Sequence, residues 1–419
     1  MEKYLISGKQ KLSGEIKVAG AKNEALKIMA ASVLSSEPCL IKNIPDIEDI
    51  KRMSEILENL GAEIKHDPAL AGQLIIKTNN LKNGNPDDDL VRRLRSSVML
   101  AGPLLARFGQ VKMAHPGGCI IGQRPIDMFL AGFKALGASI SQDDNHYTLT
   151  AKKLIGAKIV LPWISVTVTE ALMMTACLAK GETTIINTAI EPEILALADY
   201  LNKCGAKISG TGTSVIKIMG VKKITGGQIE LIPDRIEAGT FLMLGLITNS
   251  KIKISGCQPG HLETVLATLE KAGAIIERGE NYLITKPSRL KATELRTHEF
   301  PGFPTDLQAP FTVLMTQAQG LSLIHETIYE GRLFYTDKLK AMGANIIMCD
   351  PHRVIINGPT PLFGKNLESP DLRAGIALVL AGLAAQGQTI IENIYQIERG
   401  YENLVSRLQK LGAKIEKSD

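Results

Sequence analysis

A short phrase recurs six times along this chain, and it constrains the fold more than any other feature. It reads Leu60-Gly-Ala-Glu-Ile64, Leu136-Gly-Ala-Ser-Ile140, Cys204-Gly-Ala-Lys-Ile208, Ala272-Gly-Ala-Ile-Ile276, Met342-Gly-Ala-Asn-Ile346 and Leu411-Gly-Ala-Lys-Ile415. The glycines stand at 61, 137, 205, 273, 343 and 412, at intervals of 76, 68, 68, 70 and 69 residues. Around each phrase the pattern is the same. An apolar helix comes first, as at 25–34 or 376–384, then a short strand such as 183–186 or 389–391, then a loop. An amphipathic helix follows, as at 195–203; the glycine ends it, and Ala-x-Ile begins the next strand. A helix apolar nearly all round is expected to be buried, and its amphipathic successor half exposed.

Repeats of roughly 70 residues are larger than the usual solenoid unit, and six of them in 419 residues fit two domains of three. A second echo agrees with that division: Lys11-Leu-Ser-Gly-Glu-Ile-Lys-Val18 resembles Lys223-Ile-Thr-Gly-Gly-Gln-Ile-Glu-Leu231, and each strand leads into a new triplet. The halves are therefore expected to meet near Ala19–Ala21 and Ile232–Pro233, two crossings that can serve as a hinge. A cleft between such halves is the default ligand site.

Composition excludes several classes. The contents of 45% hydrophobic and 22% charged residues are those of a water-soluble globular chain. The longest uncharged apolar run, 374–385, is too short to span a bilayer, and Met1-Glu-Lys-Tyr opens no signal peptide. Six scattered cysteines without CxxC spacing favour reduced thiols and a cytoplasmic enzyme. A net charge of +5 suits an anionic small molecule, and no basic stripe interleaved with aromatics argues for nucleic acid. Among the seven histidines no HxxxH or HExxH pattern supports a metal site. No GxGxxG or Walker loop points to a dinucleotide or ATP enzyme.

Aligned on the six glycines, the polar residues fall at two recurring places. One is the start of the buried helix: Lys22-Asn23, Arg95, Ser165, Asp234-Arg235, Asp306 and Asp371–Arg373. Ser165 and Asp371 read as helix caps. Cations oppose the helix dipole there, so Lys22 and Arg95 make better sense beside a bound anion. The other place is the loop before the second helix, with Arg124, Arg332 and Arg399 in repeats two, five and six. Repeats one and three carry acids nearby instead: Asp46, Glu48 and Asp49, then Glu191 and Glu193. Arginines at equivalent positions, with Lys22 and Arg95, suggest a convergent polyanion site. Asp306, after Pro304, is the carboxylate best placed for general-base work. The loop His115-Pro-Gly-Gly-Cys-Ile-Ile-Gly-Gln-Arg-Pro125 sets Cys119 near Arg124, with Pro125 expected at a first helical position. That is a setting for a thiol of lowered pKa, though a tight turn with an incidental small residue fits the same residues.

The segments that carry these residues resemble the enolpyruvyl transferase family over essentially the whole chain. They are Gly20-Ala-Lys-Asn-Glu-Ala-Leu26, Leu94-Arg-Ser-Ser97, Pro116 to Pro125, Phe303-Pro-Thr-Asp306, Glu326-Thr-Ile-Tyr-Glu-Gly-Arg332, Asp371-Leu-Arg-Ala374 and Arg399-Gly-Tyr-Glu402. The resemblance implies an α/β fold of two inside-out α/β barrel domains, each of three βαβαββ repeats with buried helices and outer sheets. It implies domains at 22–232 and at 1–21 plus 233–419, the N-terminal strand belonging to the later half. The implied reaction moves the enolpyruvyl group of phosphoenolpyruvate to the 3′-hydroxyl of UDP-N-acetylglucosamine, opening peptidoglycan synthesis, with no cofactor and no metal.

By the same carry-over, Lys22, Arg124 and Arg399 hold phosphoenolpyruvate, with Asn23 nearby. The uridine diphosphate lies against Arg95, the run Arg124, Pro125, Ile126, Asp127 and Met128, and the run Trp163, Ile164, Ser165 and Val166. Asp306 and Ile328 hold the sugar, and Arg332 and Arg373 complete the substrate contacts. Cys119 is the implied proton donor, or a nucleophile forming an adduct, and Asp306 the implied base. The chain departs from the family pattern at Trp163, where a basic residue is usual, and at Thr167, where glycine is. Two other readings stand beside this one: the sister enzyme of the shikimate pathway, which lacks the cysteine loop, and a non-enzymatic repeat scaffold.

Overall fold

In the computed structural model, residues 2–66, 72–82, 84–117 and 125–419 are described; Cys119 and Arg124 lie outside them. All six repeat glycines have positive φ, at 102°, 95°, 96°, 87°, 107° and 93° in chain order. A side chain is strained in that left-handed region, so glycine is what lets each amphipathic helix stop and the chain turn back. Two residues on, a strand begins in every repeat: Glu63–His66, Ser139–Gln142, Lys207–Ser209, Ile275–Arg278, Asn345–Asp350 and Lys414–Ser418.

The third repeat shows the plan. Strand Lys158–Val160 leads into helix Val166–Ala176, strand Glu182–Ile186, helix Pro192–Lys203, and the hairpin Lys207–Ser209 with Val215–Met219. In its sheet Glu182–Ile186 pairs parallel with the lead-in strand and antiparallel with Val215–Met219, which also pairs with Lys207–Ser209. Alternate residues of Glu182–Ile186 are buried, as expected where one sheet face covers helices and the other meets water.

Two lead-in strands are exchanged. Ser13–Lys17 precedes the first repeat yet pairs with Lys251–Ser255 of the fourth, and Gly227–Glu230 precedes the fourth yet pairs with Cys39–Lys42 of the first. The N-terminal strand Lys3–Ser7 lies between Gln388–Glu392 and Lys414–Ser418 and completes the sixth sheet.

Contacts divide the described chain into two compact units, one of 20–117 with 125–232 and one of 2–19 with 233–419. Each has its own apolar core. Tyr4, Ile6, Leu12, Ile16 and Val18 belong to the same core as Phe241 and Leu380. The first helix of a repeat fills the core: every residue from Ile236 to Ile247, and from Leu372 to Leu383, is buried. The second helix covers it with one stripe, as Ile50, Met53, Ile56 and Leu57 do in Glu48–Asn59. Among the described residues no helix is long and apolar enough to cross a membrane.

Candidate functional site

In the unit containing 233–419, the starts of two buried helices and one loop bring three predicted residues together. Pro304 is held extended, and the 3-10 turn Thr305–Leu307 that follows delivers Asp306 just ahead of helix Gln308–Met315. Arg332 Nη1 donates to Asp306 Oδ1 at 2.9 Å, and Arg373 Nη2 donates to Asp306 Oδ2 at 2.8 Å. Both guanidiniums are buried. Burial by itself would raise the Asp306 carboxyl, but Arg373 and Arg332 outweigh it and hold the group well below the usual carboxylate range.

Two residues not picked out from the sequence organise this cluster. Glu326 is fully buried at the end of strand Gly320–His325. Its Oε1 accepts from Ile328 N at 2.8 Å and Tyr329 N at 3.2 Å, and its Oε2 accepts from Thr305 Oγ1 at 2.7 Å. Thr305 Oγ1 in turn accepts from Arg332 Nη1 at 2.8 Å, and the Arg332 guanidinium lies 5.0 Å from the Tyr329 ring centroid. One buried carboxylate therefore shapes the loop carrying Ile328 and aims Arg332. The sequence held one signal for this, a glutamate directly before that loop. Arg373 is aimed by a cap: Asp371 Oδ1 accepts from Arg373 N and Ala374 N at 2.8 and 3.1 Å. Arg399 ends the short helix Tyr395–Glu398, half-buried, with Nη1 donating to Gln396 Oε1 at 3.0 Å.

In the unit containing 20–232, Lys22 opens helix Lys22–Ala31 and is buried. Its Nζ lies 2.7 Å from Asp49 Oδ2, so a carboxylate of the same repeat already offsets the cation that the dipole argument left to a ligand alone. Asn23 is half-buried beside it. Arg95 opens the 3-10 turn Arg95–Leu100 that runs into helix Ala101–Phe108. Pro125 is exposed and stands before the helix, not in it: Ile126, with φ −96° and ψ 8°, is the cap position and Asp127 the first helical residue. Ile126 is buried, Asp127 exposed and Met128 half-buried. Trp163 is 58% exposed, while Ile164, Ser165 and Val166 are half-buried at the start of helix Val166–Ala176. Ser165 caps that helix, its Oγ accepting from Val168 N at 3.4 Å. Ser165 and Asp371 thus act as the caps their residue types suggested. Cys119 and Arg124 lie outside the described residues.

The repeated α/β fold and the proteins it matches make the chain an enolpyruvyl transferase. The chain belongs to the family described as EPSP synthase (3-phosphoshikimate 1-carboxyvinyltransferase), which matches residues 6–408. More particularly, it is 44% identical over 416 residues to UDP-N-acetylglucosamine 1-carboxyvinyltransferase 2 of Clostridium tetani, covering 99% of each chain. It is 43% identical over 419 residues to UDP-N-acetylglucosamine 1-carboxyvinyltransferase of Koribacter versatilis, covering 100% of this chain and 96% of that one. Among solved structures, the enolpyruvyl transferase NikO from Streptomyces tendae matches with TM-score 0.90 and 26% identity over 100% of this chain and 99% of that one. EPSP synthase from Acinetobacter baumannii shares the fold, with TM-score 0.75 and 18% identity over 100% of both chains.

Proposed function

We propose that this chain transfers the enolpyruvyl group of phosphoenolpyruvate to the 3′-hydroxyl of UDP-N-acetylglucosamine by addition and elimination, releasing phosphate. The observation that carries the reading is the Arg332–Asp306–Arg373 cluster, set in a chain whose full length aligns with relatives bearing that activity in their names. In the addition, the sugar oxygen bonds to C2 of phosphoenolpyruvate while C3 takes a proton, giving a tetrahedral ketal. In the elimination, C3 returns a proton and the C2–O bond to phosphate breaks, leaving the enol ether.

Asp306 is the acceptor of the hydroxyl proton and Cys119 the donor to C3. With both arginines bound to it, Asp306 is too acidic to take an alcohol proton. Arriving substrate anions must therefore draw a guanidinium away from Asp306 and restore its basicity. Lys22, Arg124 and Arg399 neutralise the phosphate and carboxylate, stabilising the charge that develops in transfer. The stretch 22–232 makes one domain of the family and 1–21 with 233–419 the other. A cytoplasmic location fits the described cysteines, which are unbridged.

A phosphate-release assay with phosphoenolpyruvate, comparing UDP-N-acetylglucosamine with shikimate 3-phosphate, tests the reading. Release should depend on the nucleotide sugar. Release with shikimate 3-phosphate alone would assign the chain to the sister reaction, and release with neither would leave a repeat scaffold. Arg399→Ala should lower kcat/KM for phosphoenolpyruvate about a hundredfold, the usual loss for one charged contact to a developing anion. Unchanged steady-state kinetics would remove Arg399 from the anion cluster.

A further inference from the structure

Each compact unit contains a glutamate at the third position of its first buried helix, and each glutamate holds the backbone at a crossing between the units. In the unit containing 233–419, Glu237 lies in helix Arg235–Ile247 and its Oε2 accepts from Ala19 N at 2.7 Å. Its charge is met by a fork: Arg407 Nη1 and Nη2 reach Oε1 and Oε2 at 2.6 and 3.0 Å, while Nη2 also donates to Lys17 O at 2.6 Å. That helix is capped as well, Asp234 Oδ1 accepting from Ile236 N and Glu237 N.

In the unit containing 20–232, Glu24 lies in helix Lys22–Ala31 and its Oε2 accepts from Ile232 N at 2.8 Å. Among the described residues no arginine is paired with it. Its Oε1 is buried without a hydrogen-bond partner, and the residue is 0% exposed. This helix has no side-chain cap, because the cap position is Ala21. Its first turn is tied down by Ala21 N donating to Ile232 O at 2.8 Å and by Ile232 N donating back to Glu24. The segment it grips is itself fixed, Leu231 O accepting from Asn43 Nδ2 at 3.1 Å. Gly20 passes so close to Asn43 O that a Cβ there would sit 1.8 Å from it.

We propose that Glu24 is a positioning residue for Lys22: its hydrogen bond to Ile232 substitutes for the missing cap and fixes the turn that presents the Lys22 ammonium. The inference rests on the reading of Lys22 as a phosphoenolpyruvate ligand. The surroundings of Glu24 make the grip sensitive to charge. Glu193 from helix Pro192–Lys203 and Glu170 from helix Val166–Ala176 face it, and Lys27 of its own helix lies 3.4 Å from Glu170. Outside it, a cavity of about 360 Å³ is lined by Lys42, Asp199, Tyr200, Lys203 and Glu230. Burial, and then Glu193 and Glu170, push the Glu24 carboxyl up to about 8, against the pull of the Ile232 N–H. Glu24 is therefore neutral at pH 7 and becomes an anion two residues from Lys22 as the pH passes about 8.

Three variants assayed together test this. Glu24→Ala should raise KM for phosphoenolpyruvate about tenfold with kcat little changed and KM for the nucleotide sugar unmoved. Glu24→Gln keeps an acceptor for Ile232 N and should restore that KM at pH 7. Between pH 7 and 9 the wild-type KM for phosphoenolpyruvate should climb relative to that of Glu24→Gln, which cannot ionise. Stability supplies a second readout. A carboxyl whose pKa is raised on folding stabilises most at low pH and loses that contribution between about 4.5 and 8. The wild-type melting temperature should therefore fall relative to Glu24→Gln across that window and no further above it.

Equal changes in kcat and both KM values in Glu24→Ala, or pH profiles of KM that coincide in wild type and Glu24→Gln, would overturn the proposal. Should Glu24→Ala not fold, the Glu24→Gln profile decides alone. Lys22→Ala separates the two readings. If it leaves KM for phosphoenolpyruvate unchanged, the substrate role of Lys22 falls. If it raises KM while the Glu24 variants do not, only the positioning role falls.

Discussion

Asp306→Asn should lower kcat about a thousandfold in single-turnover phosphate release at saturating substrates, within the range general acid–base groups contribute. The amide keeps the shape of the carboxylate but cannot hold the hydroxyl proton, and it offers one acceptor to two buried guanidiniums. Stability should fall too. Removing one partner of a buried ion pair costs about 3–5 kcal/mol, and because the Asp306 side chain is 25% exposed solvent screening lowers the expected loss to about 2 kcal/mol. Urea melts would read that loss. Asp306 also predicts a silence. Its carboxyl is depressed, so the stability it supplies is present above the ordinary aspartate value of 3.8 and is lost only as the pH falls through its folded value. A limb between pH 5 and 7 in kcat/KM, which reports the free enzyme, must come from another group. A variant that turns over within threefold of wild type would end the assignment of Asp306 to the proton.

What the residues disclose in advance follows from how local each constraint is. A helix that must stop in the left-handed region leaves a glycine, and six such stops left a countable period. Caps are equally local, so Ser165 and Asp371 were readable from residue type. Pro125 was misplaced by two residues because proline fits the turn before a helix as well as its first position. The site's residue types were visible, but its pairings were not. Arg332 and Arg373 reach Asp306 from 26 and 67 residues away, and a linear spacing cannot tell which loop arginine meets which carboxylate. Lys22 illustrates the same limit: it pairs with Asp49, which in the repeat alignment is only one of several acids standing where other repeats have arginine. Glu326 and Thr305 were hidden for a different reason. They act on backbone N–H groups and on another side chain, so although both stand in segments that carry the resemblance, residue type alone does not disclose what they do.

Cys119→Asp should keep turnover within about tenfold of wild type, whereas Cys119→Ala should lose about 10²–10⁴-fold. Of the two replacements, only aspartate can hand a proton to the methylene carbon. The pH dependence should move in a defined direction. A donor thiol works only while it is protonated, so wild-type activity should fall as the pH rises through the thiol's titration. A carboxyl of ordinary acidity is mostly ionised at pH 7, so the Cys119→Asp variant should gain activity steadily as the pH falls. Nucleophilic catalysis predicts otherwise. There the S–H adds across the double bond of phosphoenolpyruvate, sulfur to C2 and hydrogen to C3, and the adduct must later release the group. A carboxylate forms no stable adduct of that kind, so an obligatory adduct makes Cys119→Asp as inactive as Cys119→Ala. Intact-protein mass spectrometry after mixing with phosphoenolpyruvate, alongside the phosphate-release rate, distinguishes the cases. An adduct on wild type beside an active, adduct-free Cys119→Asp variant makes the thioether a side branch. A Cys119→Asp variant that binds phosphoenolpyruvate yet stays inactive as the pH falls puts the sulfur–carbon bond on the reaction path, because a protonated carboxyl could have supplied the proton.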